Sequence, residues 1–291
     1  MRTTEHQDRT AITEEPPRRF ALKASLAFLA AVAGGSQSDI ALAQSRPLTD
    51  VDILNFALNL EYLEAEYYTR GLTGAGLTNG EVTGVGNLGG VVGGRQVQFS
   101  DTGVAQILTE IGQNERAHVN FIRSALGSAA IARPAINFTD AFNALGRAAG
   151  IGPFDPFANQ TNFILGGLIF EETGQTAYHG SARFVQNKSI LENASGILAV
   201  EAYHAGILRL LTFQAGEQAR NAANAAITLR FQLGGGQDEV LSLNGVPNLV
   251  PTDRNSISPL RTPAQVLNIA YEGGAANNFG FFPNRVNGVI N

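Results

Sequence analysis

Two stretches of this chain carry the pattern Glu-x-x-His, as Glu115-Arg116-Ala117-His118 and as Glu201-Ala202-Tyr203-His204. On a helix, residues three apart share a face, so a carboxylate and an imidazole at this spacing can grip one metal ion or two adjacent ions. A single copy is ordinarily a solvated helix pair. With 16 glutamates in 291 residues, two copies among the three histidines beyond residue 43 arise by chance roughly once in 100, rare enough to call for the remaining ligands. The chain has no cysteine, which excludes disulfides, thiolate metal sites and nucleophilic thiols. Carboxylate and imidazole are the strong ligands left, a set that favours iron, manganese or zinc over copper(I) or iron–sulfur clusters.

Helices must position these groups. From Asp50 to Arg70, residues Leu54, Ala57, Leu58, Glu61, Ala65 and Tyr68 recur at steps of three and four, with Thr49 and Asp52 as an N-terminal cap and Gly71 as a stop. A Gly-rich stretch from Leu72 to Gly94 has no periodicity and reads as a long loop with room for a short hairpin. The second helix spans Asp101 to Leu126, with Leu108, Ile111, Glu115, His118, Val119 and Ile122 on one face and Gly127 at its end. A short helix over Asp140 to Ala149 precedes the breaks at Gly152-Pro153 and Asp155-Pro156. The third long helix runs from about Phe157 to Gly180 and the fourth from about Lys188 to Ala215. Four long amphipathic helices imply an all-α bundle. A fifth helix follows over Glu217 to Leu233, then an irregular tail with one short helix that Thr262 caps and Pro263 begins.

Each long helix has acidic or imidazole groups within an otherwise apolar face: Glu61, Glu115 with His118, Glu171, and Glu201 with His204. Carboxylates buried without partners would neutralise or distort the fold, so four facing one another need cations between them. Two divalent ions balance four carboxylates, and two neutral imidazoles complete a dinuclear site with shared glutamates and positions open to dioxygen or peroxide. The spacing leaves several assignments open. Glu64, one turn from Glu61, reads equally as a second ligand or base and as a surface residue; Glu66 reads as solvated. Glu172 competes with Glu171 because Glu172 and His179 are also seven apart; Glu171 is preferred for its matching distance to Tyr178, which leaves His179 as a helix-end or surface histidine. Tyr68, Tyr178 and Tyr203 are candidates to shuttle electrons or bond the ligands, against the plainer reading of core tyrosines.

One Glu from each of two helices with Glu-x-x-His from each of the others resembles the ligand set of ferritin-like dimetal proteins. The stretch Asn59 to Tyr68 resembles the first helix of ferritins, where a ligand glutamate precedes a tyrosine by seven residues, as Glu61 precedes Tyr68. More narrowly, Leu58 to Glu66, Phe170 to Tyr178, Arg261 to Leu267 and Phe281 to Asn284 resemble the desiccation-related type of ferritin-like protein, from about Thr49 to Gly288. The resemblance implies a ferritin-like four-helix bundle with a long crossover over residues 49–216, and an extra helix with an irregular extension over 217–291. It also implies two divalent metal ions, iron or manganese, on Glu61, Glu115, His118, Glu171, Glu201 and His204.

The 44% hydrophobic content supports a sizeable core. A net charge of −5, with Lys188 the only lysine after residue 23, argues against nucleic-acid partners and points to small molecules or ions; a homo-oligomer is left open. Residues 1–43 read as a cleaved export signal. Arg18-Arg19-Phe20-Ala21-Leu22-Lys23 resembles a twin-arginine motif, with Phe20 one position early, followed by an apolar run from Ala24 to Ala33 and the small residues Ala41-Leu42-Ala43. That run is shorter than the ~20 apolar residues of a membrane span. The mature chain is then expected to start near Gln44, in a periplasmic or secreted location. Three roles compete: a di-iron or di-manganese redox protein of ferroxidase or catalase type, a non-enzymatic stress or desiccation protein with structural metals, and a metal-free bundle with protonated glutamates.

Overall fold

A computed structural model describes residues 46–235, 240–274 and 280–291 of the chain. The export segment expected over residues 1–43 lies outside the described residues.

Helix α1, Asp50–Thr73, begins as the sequence predicts: the Thr49 side chain accepts from the Asp52 amide, and Asp52 accepts from the Thr49 amide at 2.8 Å. It runs past Gly71 and ends at Gly74, whose φ of 81° suits glycine. Gly71 has a different use, because a Cβ there would come 2.1 Å from the ring of Phe163. The absent side chain lets α1 press on that phenylalanine. After α1 come a single helical turn, α2 at Asn79–Val82, and a short strand β1 at Val91–Val92.

Helix α3, Thr102–Leu126, is capped by Asp101, which accepts from Gly103 and Val104 at 2.7 and 3.0 Å. Strand β2, Ile136–Asn137, pairs in parallel with β1, Val91 opposite Ile136. The Gly-rich loop therefore holds no hairpin of its own; it is pinned to the chain that leaves α3. Helix α4, Phe138–Ala148, starts two residues before the expected Asp140, since Asn137 supplies the cap. Helix α5, Gln160–Ser181, starts later than expected, because Asn159 caps it and leaves Phe157 in the preceding turn. Helix α6, Lys188–Gln214, is capped by Asn187, and helix α7, Glu217–Gly234, follows Gly216 at a φ of 106°.

The long helices α1, α3, α5 and α6 form the bundle, α1 packed on α3, α5 on α6, and α1 on α5. Helices α3 and α6 bury one stripe each, whereas α1 is buried without a break from Asn55 to Tyr67 and α5 from Phe163 to Tyr178. Two neighbours cannot enclose a helix on every side; the C-terminal region does the rest. A tight hairpin joins β3, Ser242–Leu243, to β4, Val246–Pro247, and helix α8, Pro263–Ala270, carries the Thr262 cap expected from sequence. Helix α8 packs on α5 and α7. Arg261 donates its amide to the Thr176 carbonyl at 3.0 Å, and Asn59 of α1 exchanges hydrogen bonds with the Asn287 backbone at 2.9 and 3.2 Å. The tail is thus a wall of the bundle. Around Tyr67 the core is aromatic: its ring stacks on Phe163 at 4.6 Å and its hydroxyl donates to the Phe163 carbonyl at 2.7 Å.

Candidate metal centre

Near the middle of the four long helices lie Glu61 from α1, Glu115 and His118 from α3, Glu171 from α5, and Glu201 and His204 from α6, all buried. The Glu-x-x-His spacing does what helical geometry requires, bringing each acid and imidazole to the same inward face. Nδ1 of His118 lies 3.3 Å from Glu61, 3.5 Å from Glu115 and 3.7 Å from Glu201. Nδ1 of His204 lies 2.9 Å from Glu115 and 3.1 Å from Glu171. The two rings stand 6.4 Å apart. Both imidazoles therefore aim the same nitrogen at the carboxylates from opposite ends.

These atoms fall into two overlapping sets, Glu61, Glu115, His118 and Glu201, and Glu115, Glu171, Glu201 and His204, with one donor atom per residue and all donors of a set within 4.8 Å of one another. Glu115 and Glu201 belong to both. Oε2 of Glu61, Oε1 of Glu171, Nδ1 of His118 and both oxygens of Glu115 and Glu201 are buried without a hydrogen-bond partner. Native interiors rarely leave polar atoms in that condition, let alone several converging on one point. The donor set of oxygen and imidazole nitrogen suits iron or manganese.

Crowding sets the electrostatics. Burial, with Glu171 and Glu61 nearby, raises the pKa of Glu115 to about 7, and burial with Glu115 and Glu64 nearby raises Glu201 well above the usual carboxylate range. Burial alone would lower the imidazoles, but Glu61 and Glu115 lift His118 to about 11, and Glu171 and Glu115 lift His204 to about 10. The site attracts positive charge strongly. Tyr178, buried, donates from its hydroxyl to Oε1 of Glu61 and fixes that carboxylate. The Asn114 side-chain amide lies 3.1 Å from Nε2 of His204; turned so that its oxygen faces the ring, it accepts the N–H that a histidine ligating through Nδ1 donates.

Neighbouring residues sort out clearly. Glu172 faces away from the cluster and pairs with Arg209 and Arg230, so Glu171 is the glutamate of this pair that joins the six. Glu66, expected to be solvated, is fully buried and bridges Arg133 and Arg70, because α1 has no solvent face at that point. Glu64 is buried too; burial and Glu115 raise its pKa. The cluster therefore holds five carboxylates, one more than the charge count from sequence. Tyr203 is 71% exposed and has no part in the site, while Tyr68 is fully buried beside Glu171. His179 sits near the end of α5, its Nδ1 3.1 Å from the Pro259 carbonyl, outside the cluster.

Sequence reasoning missed Asn114 and Gly174. A Cβ at Gly174 would come 2.4 Å from Glu201 and 2.9 Å from Glu64, so the missing side chain makes room for two carboxylates. An isolated glycine inside a helix, three residues after Glu171, was the available signal.

Known proteins resemble the chain along most of its length. It is 27% identical to the desiccation-related protein PCC13-62 of Craterostigma plantagineum, over 76% of this chain and 77% of that protein. It is 25% identical to the ferritin-like catalase Nec2 of Nesocodon mauritianus, over 83% of this chain and 84% of that one. No solved structure matches it significantly. Residues 49–214, which span the four long helices and every residue of the cluster, match the ferritin-like domain, and the chain belongs to that family.

Proposed function

We propose that the cluster binds two divalent ions, iron or manganese, and that the protein is an exported redox protein of oxidative or desiccation stress, reacting with dioxygen or peroxide. The observation that carries this reading is the convergence of unpartnered carboxylate oxygens and two inward Nδ1 atoms in two sets that share Glu115 and Glu201. Glu61 and His118 would hold one ion, Glu171 and His204 the other, and Glu115 and Glu201 would serve both. Such ions supply electrons and open coordination positions at which small oxygen species react. The chain's own part is to orient and to exclude: Tyr178 holds Glu61, Asn114 holds His204, and the apolar walls of α1 and α5 keep water out. The similarity to a protein named as a ferritin-like catalase favours peroxide as one substrate.

The similarity to a desiccation-related protein supports a second reading, in which the metals only hold the bundle together. Elemental analysis of protein from its native compartment is expected to give about two metals per chain. A value near zero, unchanged on adding Fe(II) or Mn(II), would overturn both readings and leave the metal-free bundle. With metal present, oxygen evolution from peroxide identifies catalase action and Fe(II) oxidation by dioxygen identifies ferroxidase action; either should be lost in Glu115→Ala. Absence of both activities favours the structural role. Export rests on the leader-like residues 1–43 and predicts, on cell fractionation, a periplasmic or secreted chain starting near Gln44.

A further inference from the structure

Beside the carboxylate cluster, helices α1, α5 and α8 leave an apolar cavity of about 20 Å³ among Leu63, Phe170, Ile269, Ala270 and Phe281. All five residues are buried. The acid on its wall is Glu64. Gly174 also lines it, and a Cβ on that glycine would meet both Glu64 and Glu201, so the cavity wall reaches the carboxylate cluster through Glu64 and Gly174. A second apolar cavity of about 20 Å³ shares Leu60 with the first and reaches Tyr178, whose hydroxyl donates to Glu61. Its outer wall includes Leu54, Ala182 and Ala194, which are partly exposed.

We infer that the two cavities form an apolar route and docking chamber for dioxygen, leading from Leu54 and Ala182 past Leu60 to Glu64 at the edge of the cluster. A small cavity with an apolar lining disfavours water, because a water molecule needs about two to four polar partners. Peroxide meets the same obstacle, since both its hydroxyl groups would be buried with one carboxylate to receive them. Dioxygen has no hydrogen-bonding group to desolvate, and a space of this size takes about one small particle. The C-terminal segment supplies Ile269, Ala270 and Phe281 to the inner wall, which gives the tail a role beyond covering α5. The inference rests on the dimetal reading: with Fe(II) the chamber delivers dioxygen, and in peroxide breakdown it drains the dioxygen produced.

Xenon, which enters dry apolar cavities, is the probe. Crystals of the full chain pressurised with xenon are expected to show an atom among Leu63, Ile269 and Phe281, with or without added Fe(II) or Mn(II). No xenon there overturns the inference. Because xenon binding needs no metal, this result stands apart from success or failure of the metal reading. Ala270→Leu, which fills the chamber, is expected to abolish the xenon site and to raise KM for dioxygen in Fe(II) oxidation at least fivefold, with kcat and metal content unchanged. Xenon excluded but KM unchanged overturns the delivery role. Ile269→Ala enlarges the chamber and serves if the first variant does not fold; it is expected to increase xenon occupancy, and unchanged occupancy counts against the chamber.

Discussion

Nδ1 of His204 lies 3.1 Å from Oε2 of Glu171, across the contact of α5 with α6, although 33 residues separate the two in the chain. The adjacent Glu172 points instead to Arg209 and Arg230. Two neighbouring glutamates on one helix thus face different tasks. Glu171→Ala is expected to lower the metal content from about two ions per chain to about one, measured by elemental analysis. Glu172→Ala should keep both ions and lose about 3 kcal/mol of stability in urea unfolding, since Arg209 stays buried without its carboxylate. The reverse pattern would reassign the pair.

Gly174→Ala provides a test of close packing. Alanine in a helix interior is ordinarily worth about 1 kcal/mol over glycine. Here its Cβ would lie 2.4 Å from Oε2 of Glu201, which must then swing away. Metal affinity is expected to fall by at least about tenfold while the helix content by circular dichroism is unchanged. Unaltered affinity would mean that Glu201 is not needed where it stands.

Loading the site should release protons. In protein stripped of metal, Glu61 and Glu171 with Glu115 hold His118 and His204 protonated up to about 11 and 10, so both are imidazolium at neutral pH. A metal ion accepts only the neutral ring. Adding two equivalents of Fe(II) or Mn(II) at about pH 7.5 without oxygen is expected to liberate at least about two protons per chain in a pH-stat, with a further share from Glu201, whose raised carboxyl must also ionise to serve as a ligand. Metal uptake without proton release would remove both histidines from the ligand set.

Acid should weaken the start of α1. The hydrogen bond from Arg46 holds the Asp52 carboxyl down at about 2 against its burial, with help from Thr49. A lowered folded pKa means the stabilisation is present above the ordinary value of 3.8 and disappears as pH falls through about 2. Asp52→Asn is expected to cost about 1 kcal/mol at neutral pH, the usual worth of a cap, because the half-exposed Arg46 is screened by solvent. Chemical denaturation at several pH values should show the difference between variant and parent constant down to about pH 4 and shrinking below it.

The sequence alone determined the local features. Caps at Thr49 and Thr262, helices within a few residues of their true ends, and the facing of Glu115, His118, Glu201 and His204 all follow from spacings of three and four along one helix. These were legible on α3 and α6 because each buries a single stripe, so periodicity identifies the inner face. On α1 and α5 the same spacing picked out Glu61 and Glu171 but could not sort the acids beside them. Helices enclosed on every side bury Glu61, Glu64 and Glu66 alike, and Glu171 with Glu172, and successive residues point about 100° apart without any of them meeting water. What separates them is the partner each one meets: the cluster for Glu61, Glu64 and Glu171, Arg133 for Glu66, Arg209 and Arg230 for Glu172. Those arginines come from the crossover and from α6 and α7, remote in the chain. The enclosure itself depends on a tail with little periodicity, fastened by backbone hydrogen bonds such as that from Arg261 to Thr176, which only the assembled tertiary structure could determine.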